Sequence, residues 1–243
     1  MTRLDETQRI RFPDPSRANA WGVVAQGGNL SPGILLSAYE QGIFPWYEEE
    51  PITWFSPDPR FVLYLDRFHV SRRLRREIKK RSLRISFDYD FAAVIRSCRD
   101  ADRGAPVGTW ITTAMEEAYN ELHRLGYTHS VEVYDGETLA GGLYGVAVGD
   151  LFAGESMFSV GGGESKWAMV ALAGFIDSLG LSMIDSQSYT NHVAAFGGCD
   201  VPRREFLTAL ASLRTGHAIP RDWRGVDGDE MLVRGLHLAD RSQ

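Results

Sequence analysis

GGLYGVAVGDLFAGESMFS (residues 141–159), followed by LSMIDSQ (residues 181–187), is the stretch on which the fold turns. Residues 139–148 and 151–157 read as strands joined by a turn at Gly149-Asp150. Residues 131–134 form a strand before them, across the turn Asp135-Gly136. Asp/Gly pairs supply the backbone that tight hairpins require, so three antiparallel strands follow one another. After Gly161-Gly162-Gly163 the apolar period changes. Ala168, Ala171, Leu172, Phe175, Ile176 and Leu179 fall at helical spacing, and Gly180 stops the run. Residues 181–187 are then a strand. Strand, helix, strand in one sheet predicts a right-handed crossover. The strands holding Glu155 and Asp185 are therefore expected to be parallel neighbours or near-neighbours, in an α+β fold whose mixed sheet is mainly antiparallel.

Two carboxylates and one amide, Glu155, Asp185 and Gln187, sit on these strands among apolar or small residues. Burying such groups without partners is costly, so either a structural network or a polar substrate satisfies them. Asp185 and Gln187 are two apart and share a strand face. An ionised Asp185 would accept from the amide NH2 of Gln187 and aim the amide oxygen at an incoming amine. The alternative is a hydrogen-bonded pair that ties down the following loop. An apolar wall of Leu143, Met157, Met169, Leu172, Ile176 and Ile184 converges on the same strand ends, as core or as pocket.

Other chemistries fail on their spacing. Gly154-Glu155-Ser156-Met157-Phe158 lacks the last glycine of a nucleophile elbow, which rejects Ser156 as a hydrolase nucleophile. Residues 161–166 end Ser-Lys rather than Lys-Ser/Thr, which rejects a phosphate loop. The six histidines are scattered, so no metal site is expected. His192 is a satellite of Gln187 or a helix-end histidine.

The 243 residues are 44% hydrophobic and 24% charged, ordinary for a globular protein, with a formal net charge of -6. The two cysteines, Cys98 and Cys199, fit free thiols in a reducing compartment. The N-terminal residues carry charges where a signal peptide needs an apolar run, and no run is long enough to span a membrane. A cytoplasmic protein with no membrane partner is expected.

Upstream, Ser31 and Pro32 predict the start of a helix over residues 32–41, closed by Gly42. Phe44, Trp46, Tyr47, Trp54 and Phe55 crowd into the loops that follow, either as a small aromatic core or as one wall of a stacking pocket. Residues 61–65 read as a strand. Residues 67–84 then hold nine cations against one acid, Glu77. Within a helix over residues 71–81, Leu74 and Ile78 form an apolar stripe. Arg72, Arg73, Arg75, Arg76, Lys79, Lys80 and Arg81 cover the rest, as a solvated face or as a polyanion site. Thr113 and Glu116 form a capping box for a helix ending near Leu125. Short helices are expected over 91–98, 191–196 and 203–213, and a loosely held tail after residue 214.

Five segments together resemble the leucyl/phenylalanyl-tRNA–protein transferase family: Gly42-Ile43-Phe44-Pro45-Trp46, Trp54-Phe55-Ser56-Pro57-Asp58-Pro59-Arg60, Gly108-Thr109-Trp110-Ile111, Gly154-Glu155-Ser156-Met157-Phe158-Ser159 and Ile184-Asp185-Ser186-Gln187. The match runs in the family's order over about residues 10–213. The resemblance implies a small N-terminal domain (1–62), a catalytic domain like the GCN5-related N-acyltransferases (63–213) and a tail (214–243). It implies transfer of Leu or Phe, with Met a third candidate, from aminoacyl-tRNA to proteins beginning with Arg or Lys, which marks them for proteolysis. No cofactor is implied. Trp46 and Trp110 would flank the terminal adenosine of the tRNA. Met157 and its neighbours, Gly154, Ser159, Leu143, Met169, Leu172, Ile176 and Ile184, would line the amino-acid pocket. Asp185, Gln187 and Glu155 would serve the reaction, with Glu155 at the substrate's charged groups, and the basic helix would hold tRNA phosphates. Leu172 and Ile176 stand where larger aromatics are expected, which leaves the side-chain preference open. The rivals are a coenzyme-A acyltransferase, which the missing pyrophosphate loop at residues 160–165 disfavours, a transferase acting on cell-wall precursors, and a non-catalytic RNA-binding protein.

Overall fold

The computed structural model describes residues 2–101, 111–213 and 219–241. A small antiparallel sheet is built from β1 (Val23–Gln26), β2 (Phe44–Pro45) and β3 (Thr53–Phe55), in the order β1-β3-β2. Helix α1 (Pro32–Glu40) connects β1 to β2, with Pro32 at its first position. Gly42, at a φ of 74°, turns the chain out of it. Ser31 does not cap this helix through its side chain; its hydroxyl accepts instead from the Leu4 backbone N–H at 3.0 Å.

The large sheet has seven strands: β4 (Arg60–Tyr64), β5 (Arg84–Phe87), β6 (Thr128–Asp135), β7 (Thr138–Val148), β8 (Leu151–Ser159), β9 (Met183–Asp185) and β10 (Cys199–Val201). Their order is β10-β4-β9-β8-β7-β6-β5. Every pairing is antiparallel except β8 with β9, which are parallel neighbours. The remaining helices are α2 (Arg72–Lys80), α3 (Phe91–Asp100), α4 (Thr113–Arg124), α5 (Glu164–Ser178), α6 (Asn191–Ala194), α7 (Arg203–Leu213) and α8 (Gly228–Arg241). Helix α5 is the crossover. The fold is α+β with a mixed sheet, as the strand and helix periods predict. A division between residues 62 and 63 would cut β4 in two, because β4 begins at Arg60.

Adjacent residues of β7 feed opposite cores, as a period of two requires. Leu143 joins Phe152, Trp167, Leu172 and Trp223 beneath α5 and α8. Tyr144 joins Ile34, Phe91, Val94 and Tyr119 beneath α1, α3 and α4. A smaller cluster of Val62, Met183, Phe206 and Leu210 seats α7. Helix α4 is capped by Thr112, whose hydroxyl accepts from the Met115 N–H, and not by Thr113 as the capping-box spacing suggests.

The C-terminal segment corrects the expected loose tail. Trp223 is fully buried and stacks on His129, with ring centroids 4.1 Å apart. Met231, Leu232, Gly235, Leu238 and Ala239 form one buried face of α8. The Gly, Asp and Arg content before residue 231 hides that helical period in the sequence. Glycine lets α8 approach α5 backbone to backbone. A Cβ on Gly174 would lie 2.1 Å from the Met231 carbonyl oxygen, and one on Gly235 would lie 2.0 Å from that of Val170.

One buried ion pair joins β4 to β9. Arg60 donates from Nε to Asp185 Oδ1 at 2.8 Å and from Nη2 to Oδ2 at 2.6 Å, with both side chains 1% exposed. Its Nη1 donates to the Gly42 carbonyl oxygen at 3.1 Å. Phe206 and Phe44 cover the guanidinium, with ring centroids 4.4 and 4.9 Å away. The pair therefore also anchors the small sheet and α7.

Two substitutions test this frame by urea unfolding. Gly235→Val is expected to lower stability by about 1–3 kcal/mol through overpacking at the α5–α8 crossing. Asp185→Ala is expected to lose about 3–5 kcal/mol, because it leaves Arg60 buried without a counter-charge. Arg60→Met combined with Asp185→Leu is expected to recover part of that loss; no recovery would mean that the charges do not act as a pair.

Candidate active site

A cavity of about 420 Å³ opens where β8 and β9 part company. Their pairing ends at Ala153 opposite Asp185. On the other side of β8, Tyr144 pairs with Ser156 and Gly145 with Gly154, so Glu155 is the extra residue of a β-bulge. A bulge redirects the side chain it carries, and here it brings Glu155 to the cavity wall.

Gln187 lies beyond β9 rather than on it, with a φ of 63° that is uncommon for a residue other than glycine. Its backbone is held from both sides. Its N–H donates to Asp185 Oδ1 at 2.9 Å, and its carbonyl oxygen accepts from the Phe61 N–H at 3.2 Å. The side-chain amide does not donate to Asp185, as the two-residue spacing suggests. Gln187 Nε2 donates to Glu155 Oε1 at 2.5 Å, while Arg60 occupies the Asp185 carboxylate. The left-handed backbone turns the Gln187 side chain away from the face it would share with Asp185 on a regular strand.

Glu155 also accepts from Tyr39 at Oε1, at 2.8 Å, and from Tyr119 at Oε2, at 3.2 Å. The two phenol oxygens are 2.5 Å apart. Burial pushes the Glu155 carboxyl up to about 7, although hydrogen bonds from Tyr39, Gln187 and Tyr119 pull it down; the charge of Asp185 adds to the rise. Both tyrosines are pushed well above their ordinary range, by burial first and then by Glu155.

The apolar side of the cavity holds Leu143, Met157, Met169, Leu172 and Ile184, with Gly154 beside them. Ile176 is fully buried in the core and does not reach the wall. Ser159 lies away from it too, where its hydroxyl bonds to the Ser165 N–H and hydroxyl. Trp46 stands at the cavity half exposed (49%), tilted against Phe55. Tyr189 is an exposed second aromatic on the wall, in edge contact with Phe61. Trp110 lies outside the described residues. His192 reaches the wall, and burial followed by the charge of Lys166 lowers its pKa. Among the described residues, no three His, Cys, Asp or Glu side chains gather as a metal ion would require.

The basic helix divides in two. Arg73 pairs with Glu77, Arg75 with Asp240 and Arg81 with Glu164 and Asp135. Arg72, Arg76, Lys79 and Lys80 are exposed and have no acid partner among the described residues. They fall at i, i+4, i+7 and i+8, which is one helix face. The sequence shows the Arg73–Glu77 pair by its i, i+4 spacing but not which other cations are free, because the partners of Arg75 and Arg81 come from β6, α5 and α8. It also hides Tyr39, Tyr119, Tyr189 and Arg60 as members or supports of the site. Arg60 had one available signal: a buried carboxylate such as Asp185 demands a cation.

Comparison with known proteins identifies the family. The family described as "Leucyl/phenylalanyl-tRNA protein transferase" matches residues 62–211, and the family's N-terminal domain matches residues 28–58. A protein of Anaeromyxobacter dehalogenans (strain 2CP-C) named leucyl/phenylalanyl-tRNA–protein transferase is 49% identical over 82% of this chain and 86% of its own length. A Xylella fastidiosa (strain M23) protein of the same name is 44% identical over 94% of this chain and 95% of its own. One from Myxococcus xanthus (strain DK1622) is 49% identical over 82% and 86%. Matched along nearly its whole length by such relatives, the chain belongs to the leucyl/phenylalanyl-tRNA–protein transferase family.

Proposed function

We propose that this aminoacyltransferase moves Leu or Phe, with Met a weaker candidate, from aminoacyl-tRNA to the N-terminal Arg or Lys of acceptor proteins, and so marks them for proteolysis. The observation that carries the reading is the cavity itself. One side is apolar, formed by Leu143, Met157, Met169, Leu172 and Ile184, and the other carries Glu155 and Gln187. An apolar amino acid fits the first side and an amine nucleophile the second. An exposed ring at the rim, Trp46, suits stacking on the terminal adenosine. Since β8 and β9 are parallel neighbours that separate beside the cavity in an otherwise antiparallel sheet, we read the domain as GCN5-related.

An aminoacyl ester is already activated, so the protein's task is to align ester and amine, worth up to ~7–11 kcal/mol. The reaction needs no cofactor on this reading. Gln187 Oε1 has no protein partner among the described residues, since its amide nitrogen is the end bound to Glu155. That oxygen is free to accept from the attacking amine. Asp185 acts through Gln187, by holding its backbone N–H. The free face of α2, Arg72, Arg76, Lys79 and Lys80, meets the tRNA phosphates, and Arg73, Arg75 and Arg81 serve the fold instead. Lys166 extends the positive field inward, since both Glu77 on α2 and His192 on the cavity wall feel its charge. Aminoacyl-tRNA as donor places the work in the cytoplasm.

The test mixes the protein with radiolabelled Leu-tRNA and a peptide beginning with Arg, and follows label into peptide. Free leucine with uncharged tRNA and a peptide beginning with Gly should stay unlabelled. No transfer while tRNA still binds would shift the reading to another acceptor. Gln187→Ala is expected to lower turnover roughly hundredfold with tRNA binding nearly unchanged. Arg76→Ala with Lys79→Ala should weaken tRNA binding and reduce its salt dependence by about one unit of slope per cation removed.

A further inference from the structure

Three groups form a closed ring behind the cavity wall that Glu155 lines: the Glu155 carboxyl, Tyr39 OH and Tyr119 OH. The sides are Tyr39 to Glu155 Oε1 at 2.8 Å, Tyr119 to Glu155 Oε2 at 3.2 Å, and Tyr39 to Tyr119 at 2.5 Å. Each side needs one hydrogen. Two phenols bring two, so an ionised Glu155 leaves one side with facing lone pairs and no proton between them. A protonated Glu155 supplies the third. The ring then runs one way: Glu155 Oε2–H donates to Tyr119, Tyr119 to Tyr39, and Tyr39 to Glu155 Oε1. Oε1 is the carbonyl oxygen of that acid, and it also accepts from Gln187 Nε2. Every oxygen–oxygen contact of the cluster then has its proton, with the Tyr119–Oε2 bond running from the acid to the phenol.

We propose that Tyr39 and Tyr119 are positioning residues that hold Glu155 as a neutral carboxylic acid in the resting protein, so that it orients Gln187 without placing a negative charge beside the acceptor amine. The charged and titratable groups around it are few. Tyr39 faces it from α1, Tyr119 from α4 and Asp185 from β9. Arg60 on β4 already neutralises Asp185. The polar cluster therefore carries no net charge before substrate arrives. This matters because an amine attacks only as the free base, and an anion at hydrogen-bonding range favours the ammonium form. The role rests on the transferase reading above and revises Glu155's part in it from a fixed anion to a hydrogen-bonding acid. The protonation state does not rest on that reading, and it is measured without any turnover.

The experiment is a pH titration of the Glu155 carboxyl in the full-length protein, by infrared difference between wild type and Glu155→Gln. A protonated-carboxyl band, absent from Glu155→Gln, is expected at neutral pH, well above the ordinary carboxylate range, and should vanish as the pH is raised through the midpoint. Tyr119→Phe and Tyr39→Phe discriminate further. In the ring, each removes two hydrogen bonds from the neutral acid but one from the carboxylate. A phenol that simply donates to a carboxylate pulls its pKa down; in the closed ring, where the third proton is needed, the sign reverses, and each substitution should lower the midpoint, with a proton affinity roughly tenfold weaker. If the hydroxyls serve only to stabilise a carboxylate, the same variants raise it. A midpoint that rises or stays, or no protonated band in wild type, overturns the proposal. Glu155→Gln can reproduce the ring, with its amide nitrogen in place of Oε2–H, and should retain far more transfer than Glu155→Ala, which cannot. Loss of transfer in Glu155→Gln together with retained transfer in the tyrosine variants would assign Glu155 an ionised role.

Discussion

The Arg60–Asp185 pair is the constraint on which both fold and site depend. Taking two charges out of water is expensive, and only close, two-pronged geometry with further hydrogen bonds offsets it. Here Asp185 accepts both prongs and the Gln187 N–H, and Arg60 donates a third time to Gly42. The pair thus fixes four pieces at one point: β4, β9, the chain leaving α1 and the residue that carries the amide. Gln187 holds a backbone conformation that few side-chain-bearing residues adopt, and it is this network that holds it there. Charge in the core and strain at the cavity are two ends of one chain of hydrogen bonds.

The cavity has an equally local origin. A parallel pair in an antiparallel sheet must be joined by a long crossover, which α5 supplies. Parallel pairing lasts only two residue pairs, Phe152 with Ile184 and Ala153 with Asp185. The bulge at Glu155 then bends β8 away. Gly145 permits the close approach opposite, since a Cβ there would sit 2.3 Å from the Ala153 carbonyl oxygen. The gap is lined by whatever each strand presents beyond its last pair. On β8 that is Gly154 to Met157, and after β9 it is Ser186 to Thr190.

Much of this is written plainly in the chain. The hairpin turns, the helical period of α5 and its Gly180 stop give the sheet's central strands and the parallel neighbours. The polar trio Glu155, Asp185 and Gln187 marks the site because nothing else in those strands is polar enough to need explaining. Its wiring is not legible. Which acid the amide of Gln187 binds depends on a positive φ that spacing cannot reveal, and on Arg60, more than a hundred residues upstream of Asp185 and brought to it by strand order. Tyr39 and Tyr119 look like ordinary core aromatics of α1 and α4. The tail misleads for the opposite reason: its buried face is short, and polar loop residues dilute it.

The electrostatics divide the labour between outside and inside. Long-range attraction for a polyanion needs exposed, unpaired cations, and screening limits its reach to about a Debye length, ~8 Å in physiological salt. Arg72, Arg76, Lys79 and Lys80 meet that description, on a chain whose total net charge is -6. Inside the cavity the reverse holds. A charge there would be poorly screened, so it would bind the acceptor's ammonium tightly and hold it in the unreactive form. Pairing Asp185 with Arg60, and leaving Glu155 a partner for two phenols and an amide, keeps the cavity polar without making it a trap. On the proposed reading, affinity for the donor is gathered on α2 and the chemistry is left to geometry.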